Sequence, residues 1–170
     1  MSSQVAIKKV LPRKIISASI AGSIFVILLG VFVPNPFGGE MNTVGEYLLE
    51  FVGVVPMYLL YSFPVILIYG TVSSIISDYL SNFISRNYGN KTEVIISALF
   101  HIIFGLILLW ISLTASIVYF LVDRYLSRGS RVYKWGQAIR SLAIPFLVFI
   151  VFWGIVSLAD FIENWRNYLV

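Results

Sequence analysis

Four apolar stretches without a formal charge, 15–33, 51–76, 94–122 and 141–159, take up more than half of the 170 residues. They run to 19, 26, 29 and 19 residues. A helix rises about 1.5 Å per residue, so each reaches across the roughly 30 Å hydrocarbon core of a bilayer. In lipid every backbone N–H and C=O must find its partner within the protein, which a helix achieves alone. The pattern predicts an all-α, polytopic integral membrane protein: four transmembrane helices in a compact bundle, one membrane domain over 1–170. With 59% hydrophobic and 12% charged residues, the chain is far from the composition of a soluble globule or a disordered tail.

The charges lie between the runs. A basic head, 1–14, carries Lys8, Lys9, Arg13 and Lys14. Pro34, Pro36, Gly38 and Gly39 end the first run, and the loop to residue 50 holds Glu40, Glu46 and Glu50 without a cation. Segment 77–93 is mixed, with Asp78, Arg86, Lys91 and Glu93. Connector 123–140 sets Arg124, Arg128, Arg131, Lys134 and Arg140 against Asp123. Every Asp and Glu thus reads as a span-end or loop residue. The first run exceeds a signal-peptide core, and no small-residue cleavage site follows it, so it is expected to stay as an anchor. Its flanks, basic before and acidic after, place the amino terminus in the cytoplasm. Four crossings then return the carboxy terminus to the cytoplasm and put 34–50 and 123–140 outside. The five cations of the connector sit badly with that arrangement. Re-entry of 51–76, broken at Pro56 and Pro64, would relieve the conflict, but 26 apolar residues with no polar tip are expected to cross. Arg124, Arg128, Arg131 and Lys134, interleaved with Tyr125, Tyr133 and Trp135, read as contacts for anionic lipid headgroups.

Polar residues recur at helical spacing inside the runs. Ser97, His101, Gly105, Ser112 and Ser116 fall on one stripe of the third run. Tyr58, Tyr61, Ser62, Tyr69 and Ser73 lie on one side of the second. In the first, Ala18 pairs with Gly22 and Ser19 with Ser23, a small-x3-small pattern that lets helices approach. His101 is the one side chain titrating near neutral pH within a run. It has two readings: a hydrogen-bonded packing group for a Tyr or Ser of the second run, or a member of an ion or ligand path. Glu46 and Glu50 suit a solvated helix start. Asn90-Lys91-Thr92 matches the glycosylation acceptor pattern and is expected in the cytoplasm, where it is inert.

The chain has no cysteine and a single histidine, and it lacks a phosphate-binding glycine loop and a metalloprotease motif. No catalytic, cofactor-binding or metal-ligating residue is assigned. Pro64-Val65-Ile66-Leu67-Ile68-Tyr69-Gly70-Thr71-Val72-Ser73-Ser74-Ile75-Ile76-Ser77-Asp78 resembles a segment of small uncharacterised four-span membrane proteins of bacilli. The resemblance implies a bacterial plasma membrane and carries no site residue. The expected function is a non-enzymatic interaction protein of accessory, regulatory or immunity type; the alternative is a small oligomeric transporter or channel lined by the His101 stripe. Expected partners are membrane lipids and another membrane protein or a second copy. Nucleic acid is not expected, because no segment is long enough to fold a soluble basic face.

Overall fold

The computed structural model describes residues 3–85, 90–107, 109–128 and 131–165, with side chains for 10–85, 92–106, 111–128 and 131–165. Among them every regular element is helical: α1 Ser3–Phe32, α2 Val44–Val65, a π-helical turn Ile66–Gly70, α3 Thr71–Ser85, α4 Asn90–Ile107, α5 Leu109–Ser127, α6 Trp135–Ser141 and α7 Ala143–Asn164. Three helical stretches are long and apolar enough to cross a membrane: Val10–Phe32, Val44–Ser85 and Trp135–Asn164.

The basic head is not a separate segment, because α1 begins at Ser3 and carries Lys14 into the bundle. Its other end meets Pro34 and Pro36, and Gly38 and Gly39 turn the chain with φ of 82° and 143°, a backbone region that L side chains rarely enter. Thr43 then caps α2: its hydroxyl accepts from Glu46 N at 3.1 Å, while Glu46 Oε2 accepts from Thr43 N at 3.3 Å. Antiparallel to α1, α2 packs Phe51 and Val55 against Gly30, and Phe63 against Gly22. The helix continues through Pro56 and Pro64. Pro64 has no N–H and presses on the preceding turn, and the π-turn directly after it takes up the misfit, so the prolines do not produce a re-entrant break.

Within segment 77–93, where a loop is expected, the described residues 77–85 and 90–93 are helical. α3 runs to Ser85, and its Ser73, Ser77, Ser81 and Ser85, spaced by four, are all buried. Small side chains at that spacing let α4 lie close along α3. The stretch 94–122 departs furthest from expectation. It is two helices, α4 and α5, folded back on each other. Serine 116 donates to the His101 carbonyl at 2.6 Å, and a Cβ on Gly105 would sit 2.9 Å from Ser116 Cβ and 3.1 Å from Leu113 Cα. Partners thus move down α5 as they move up α4, as in an antiparallel hairpin. Leu108, between the two helices, lies outside the described residues.

α7 runs antiparallel to α2, with Phe152 edge-on to Phe51 at 5.6 Å between ring centroids. Its far end, Asp160–Asn164, therefore lies at the end of the bundle that bears loop 34–43. The start of α1, the start of α4 and the end of α5 lie at the other. The start of α1 and the end of α7 lie on opposite sides of the bundle, and so do loop 34–43 and the described flanks of connector 123–140, unlike the arrangement that four crossings require. The apolar core is small and centred on α1: Ala18, Ala21, Phe25 and Val26 pack with Val55, Leu59, Ile66, Ala115 and Tyr119.

Candidate functional site

Where α1, α3, α4 and α5 meet, five charged side chains form one network. Lys14 is completely buried. Its ammonium donates to Asp78 Oδ2 at 2.6 Å, Asp123 Oδ2 at 2.7 Å and Ser74 Oγ at 2.7 Å, so all three of its N–H groups are used. Arg124 reaches Asp78 Oδ1 at 3.3 Å and lies 5.4 Å over the Phe120 ring. The Arg13 guanidinium touches both carboxylates: its Nε is 3.2 Å from Asp123 Oδ1, without hydrogen-bond geometry, and its terminal nitrogen is 3.5 Å from Asp78 Oδ2. Ser17 donates to Asp123 Oδ1 at 3.1 Å and Ser97 to Asp78 Oδ1 at 3.2 Å. Burying one ion unpaired costs several kcal/mol, and only a dense set of partners of this kind offsets it.

His101 is the neutral extension of the network. Its Nδ1 lies 2.9 Å from the Ser97 carbonyl and its Nε2 3.2 Å from Ser74 Oγ. A carbonyl only accepts, so Nδ1 carries the proton, and in the neutral ring Nε2 accepts from Ser74. Ser74 therefore joins the imidazole to the Lys14 ammonium. Tyr119, also buried, donates to the Lys14 carbonyl at 2.9 Å and packs against Gly70, where a Cβ would approach its ring to 3.3 Å.

Beyond Tyr119, towards the hairpin tip, lies a cavity of about 330 Å³ lined by Tyr61, Ser62, Tyr69, His101, Ser112 and Ser116 among apolar side chains. Lys14 and Phe32 are 18 residues apart on α1, about 27 Å of helix, so the network lies close to one hydrocarbon thickness from the far end. Phe25, on the cavity wall, is about 16 Å beyond Lys14, near half depth.

The structure divides the stripes expected from sequence. His101, Ser112, Ser116, Tyr61 and Tyr69 meet at the cavity, where Tyr69 donates to the Phe104 carbonyl at 2.9 Å. Ser97 belongs to the ion network, and Gly105 closes the hairpin. Tyr58 stands apart, donating to the Val33 carbonyl at 2.8 Å near loop 34–43. Of the candidate lipid contacts, Arg128, Arg131 and Lys134 are exposed, but Arg124 is held inward by Asp78. The side chain of Asn90, in the glycosylation pattern, lies outside the described residues. Sequence reading passed over Lys14, Asp78 and Asp123, each of which stands at or just beyond the edge of an apolar run and so resembles a headgroup residue. Ser74 and Asp78 do lie within the stretch 64–78 singled out for its resemblance. Comparison of the chain with protein-family models, with curated proteins and with solved structures finds no match.

Proposed function

We propose that the protein is a non-catalytic, multi-pass protein of a bacterial plasma membrane in an accessory or regulatory role, with the α4–α5 hairpin as its responsive part. One observation carries this reading: among the described residues, the ionisable side chains buried where α1, α3, α4 and α5 meet hold one another. Lys14 uses its three donors, Asp78 and Asp123 are each shared by two or more cations, and both nitrogens of His101 are engaged. A catalytic acid or an ion-coupling carboxylate exchanges its proton or ligand in each cycle. These carboxylates instead clamp the hairpin to α1 and α3. Such a clamp has two favoured conditions, whole or fully open, because one unpaired buried charge is expensive. That is the property of a switched element.

In this reading α1, α2–α3 and α6–α7 cross, the hairpin dips in from the cytoplasmic side, and the amino terminus is cytoplasmic. Charge supports it: every Lys and Arg but Arg166, eleven of the twelve, then lies on or next to the cytoplasmic face. A membrane-impermeant thiol reagent on intact cells tests the arrangement, with no native cysteine to compete. Asn42→Cys is labelled and Val132→Cys is labelled only after permeabilisation; labelling of both in intact cells restores four crossings. For the role itself, cross-linking in native membranes recovers a partner with the wild type and at least fivefold less of it with Asp123→Asn, which frees the hairpin. Equal recovery from both removes the regulatory reading.

A second reading, a small transporter or channel, is favoured by the cavity beside His101. It requires solute flux in proteoliposomes that disappears in His101→Asn while the melting temperature is unchanged.

A further inference from the structure

We propose that the cavity at the hairpin tip binds a neutral, single-chain amphipath that enters sideways from the bilayer. This goes beyond the accessory role and stands whether or not the hairpin is a switch. Three observations lead to it.

The first is unused hydrogen-bonding capacity. Ser62, Tyr61 and Ser112 line the cavity, and their hydroxyls find no partner among the described residues. Ser116 and Tyr69 donate their protons to the carbonyls of His101 and Phe104 and keep lone pairs free. The wall thus offers both donors and acceptors at a depth where the bilayer supplies neither. The second is the absence of charge: none of the described residues that line the cavity is Asp, Glu, Lys or Arg, and the Tyr119 ring stands between it and Lys14. An ion finds no opposite charge there to offset the loss of its hydration, whereas a hydroxyl, ester or amide needs only the hydrogen bonds that the wall offers. The third is the way in. Tyr61 and Ile111, both on the cavity wall, are 75% and 59% exposed on the flank of the bundle. At half depth that flank faces acyl chains. At roughly 30 Å³ per non-hydrogen atom, as in liquid water, about 330 Å³ takes a ligand of about eleven such atoms, at the small end of ligand sites. The cavity thus takes the uncharged polar head and most of a medium alkyl chain, the end of which stays at the opening among the acyl chains.

The test uses the full-length protein in lipid nanodiscs and, as probe, dodecanol carrying a diazirine in its chain. On illumination, cross-links are expected on the peptides around Tyr61–Tyr69 and Ile111–Ala115. Excess plain dodecanol lowers them at least fivefold, and dodecylammonium or dodecanoate at the same concentration does not. Ser112→Phe fills the cavity and lowers labelling at least fivefold. Ser112→Ala and Tyr61→Phe keep the space, remove one donor each and weaken competition by about two- to tenfold, the usual worth of one hydrogen bond. These two milder variants decide the matter if the Phe variant does not fold. Labelling spread evenly over the exposed face of α7, no labelling at the cavity, equal competition by the charged amphiphiles, or labelling indifferent to all three substitutions would overturn the proposal.

Discussion

α1 and α7 are alike in hydropathy and opposite in circumstance. Both present an apolar window with a mean hydropathy of 2.5, yet 56% of that window is buried in α1 and 6% in α7. Side-chain size separates them. α1 offers Ser17, Ala18, Ser19, Ala21, Gly22 and Ser23, which let α2, α5 and α6 come close, and Ser141 of α6 reaches Ser19 Oγ at 3.2 Å. α7 offers Phe146, Leu147, Ile150, Trp153 and Leu158, all exposed, and touches the rest mainly through α2. In lipid there is no hydrophobic gain in hiding a leucine from an acyl chain, so bulky residues stay outside and small or polar ones gather neighbours. Hydropathy thus marks which segments enter the membrane, and residue size decides which becomes the hub.

The contrast is broken most severely at Lys14. Lys14→Ala leaves Asp78 and Asp123 without their shared cation and should cost about 3–5 kcal/mol, read as a large drop in melting temperature in detergent. If the loss reflects unpaired charge and not lost packing, Lys14→Leu combined with Asp78→Asn and Asp123→Asn recovers most of it. Next come the glycines. Gly105→Ala drives a methyl into Ser116 and the Leu113 backbone and should cost about 1–3 kcal/mol. Gly154→Ala in α7 meets nothing within 4 Å and should be neutral or stabilising by up to about 1 kcal/mol. Equal effects at the two glycines would erase the distinction between hub and periphery. His101→Leu removes the acceptor of the Ser74 proton and the side-chain donor to the Ser97 carbonyl, for about 1–3 kcal/mol, and His101→Asn, which keeps a donor and an acceptor, costs less. The smallest effect is expected at Leu158→Ala on the outer face of α7, within about 0.5 kcal/mol; thermal melts rank all of these.

The helical class and the three stretches long and apolar enough to cross a membrane were legible because apolar run length is a direct physical requirement of the bilayer. The hairpin was not. Residues 94–122 are long enough to cross as one helix, and around Ile107 and Leu109 there is no proline and only Gly105 nearby to mark a reversal. One signal did exist: the five cations of the connector sit badly with four crossings, and in the proposed topology a fold-back moves them to the cytoplasmic side. Re-entry is weighed, and set aside, only for 51–76, where Pro56 and Pro64 stand out and where the helix in fact continues into a π-turn. At the site, the stripe around His101 could be read from spacing within one helix. The ion network could not, since Lys14, Asp78 and Asp123 come from three helices and each looks like an ordinary flanking charge until the helices are brought together.

The separation of those three charges along the chain sets the timetable of assembly. Asp78 follows Lys14 by 64 residues and Asp123 by 109. While a ribosome is still making α2, the first helix already sits in the membrane with a cation that has no counter-ion, and its long side chain extends to the interface, where water stabilises it. Only once α5 has emerged is the second carboxylate at hand. Lys14 then exchanges water for two carboxylates and a serine. Native closure is therefore a late event, delayed until Asp123 has been made, and a chain that stops short of α5 keeps Lys14 at the interface without its second carboxylate.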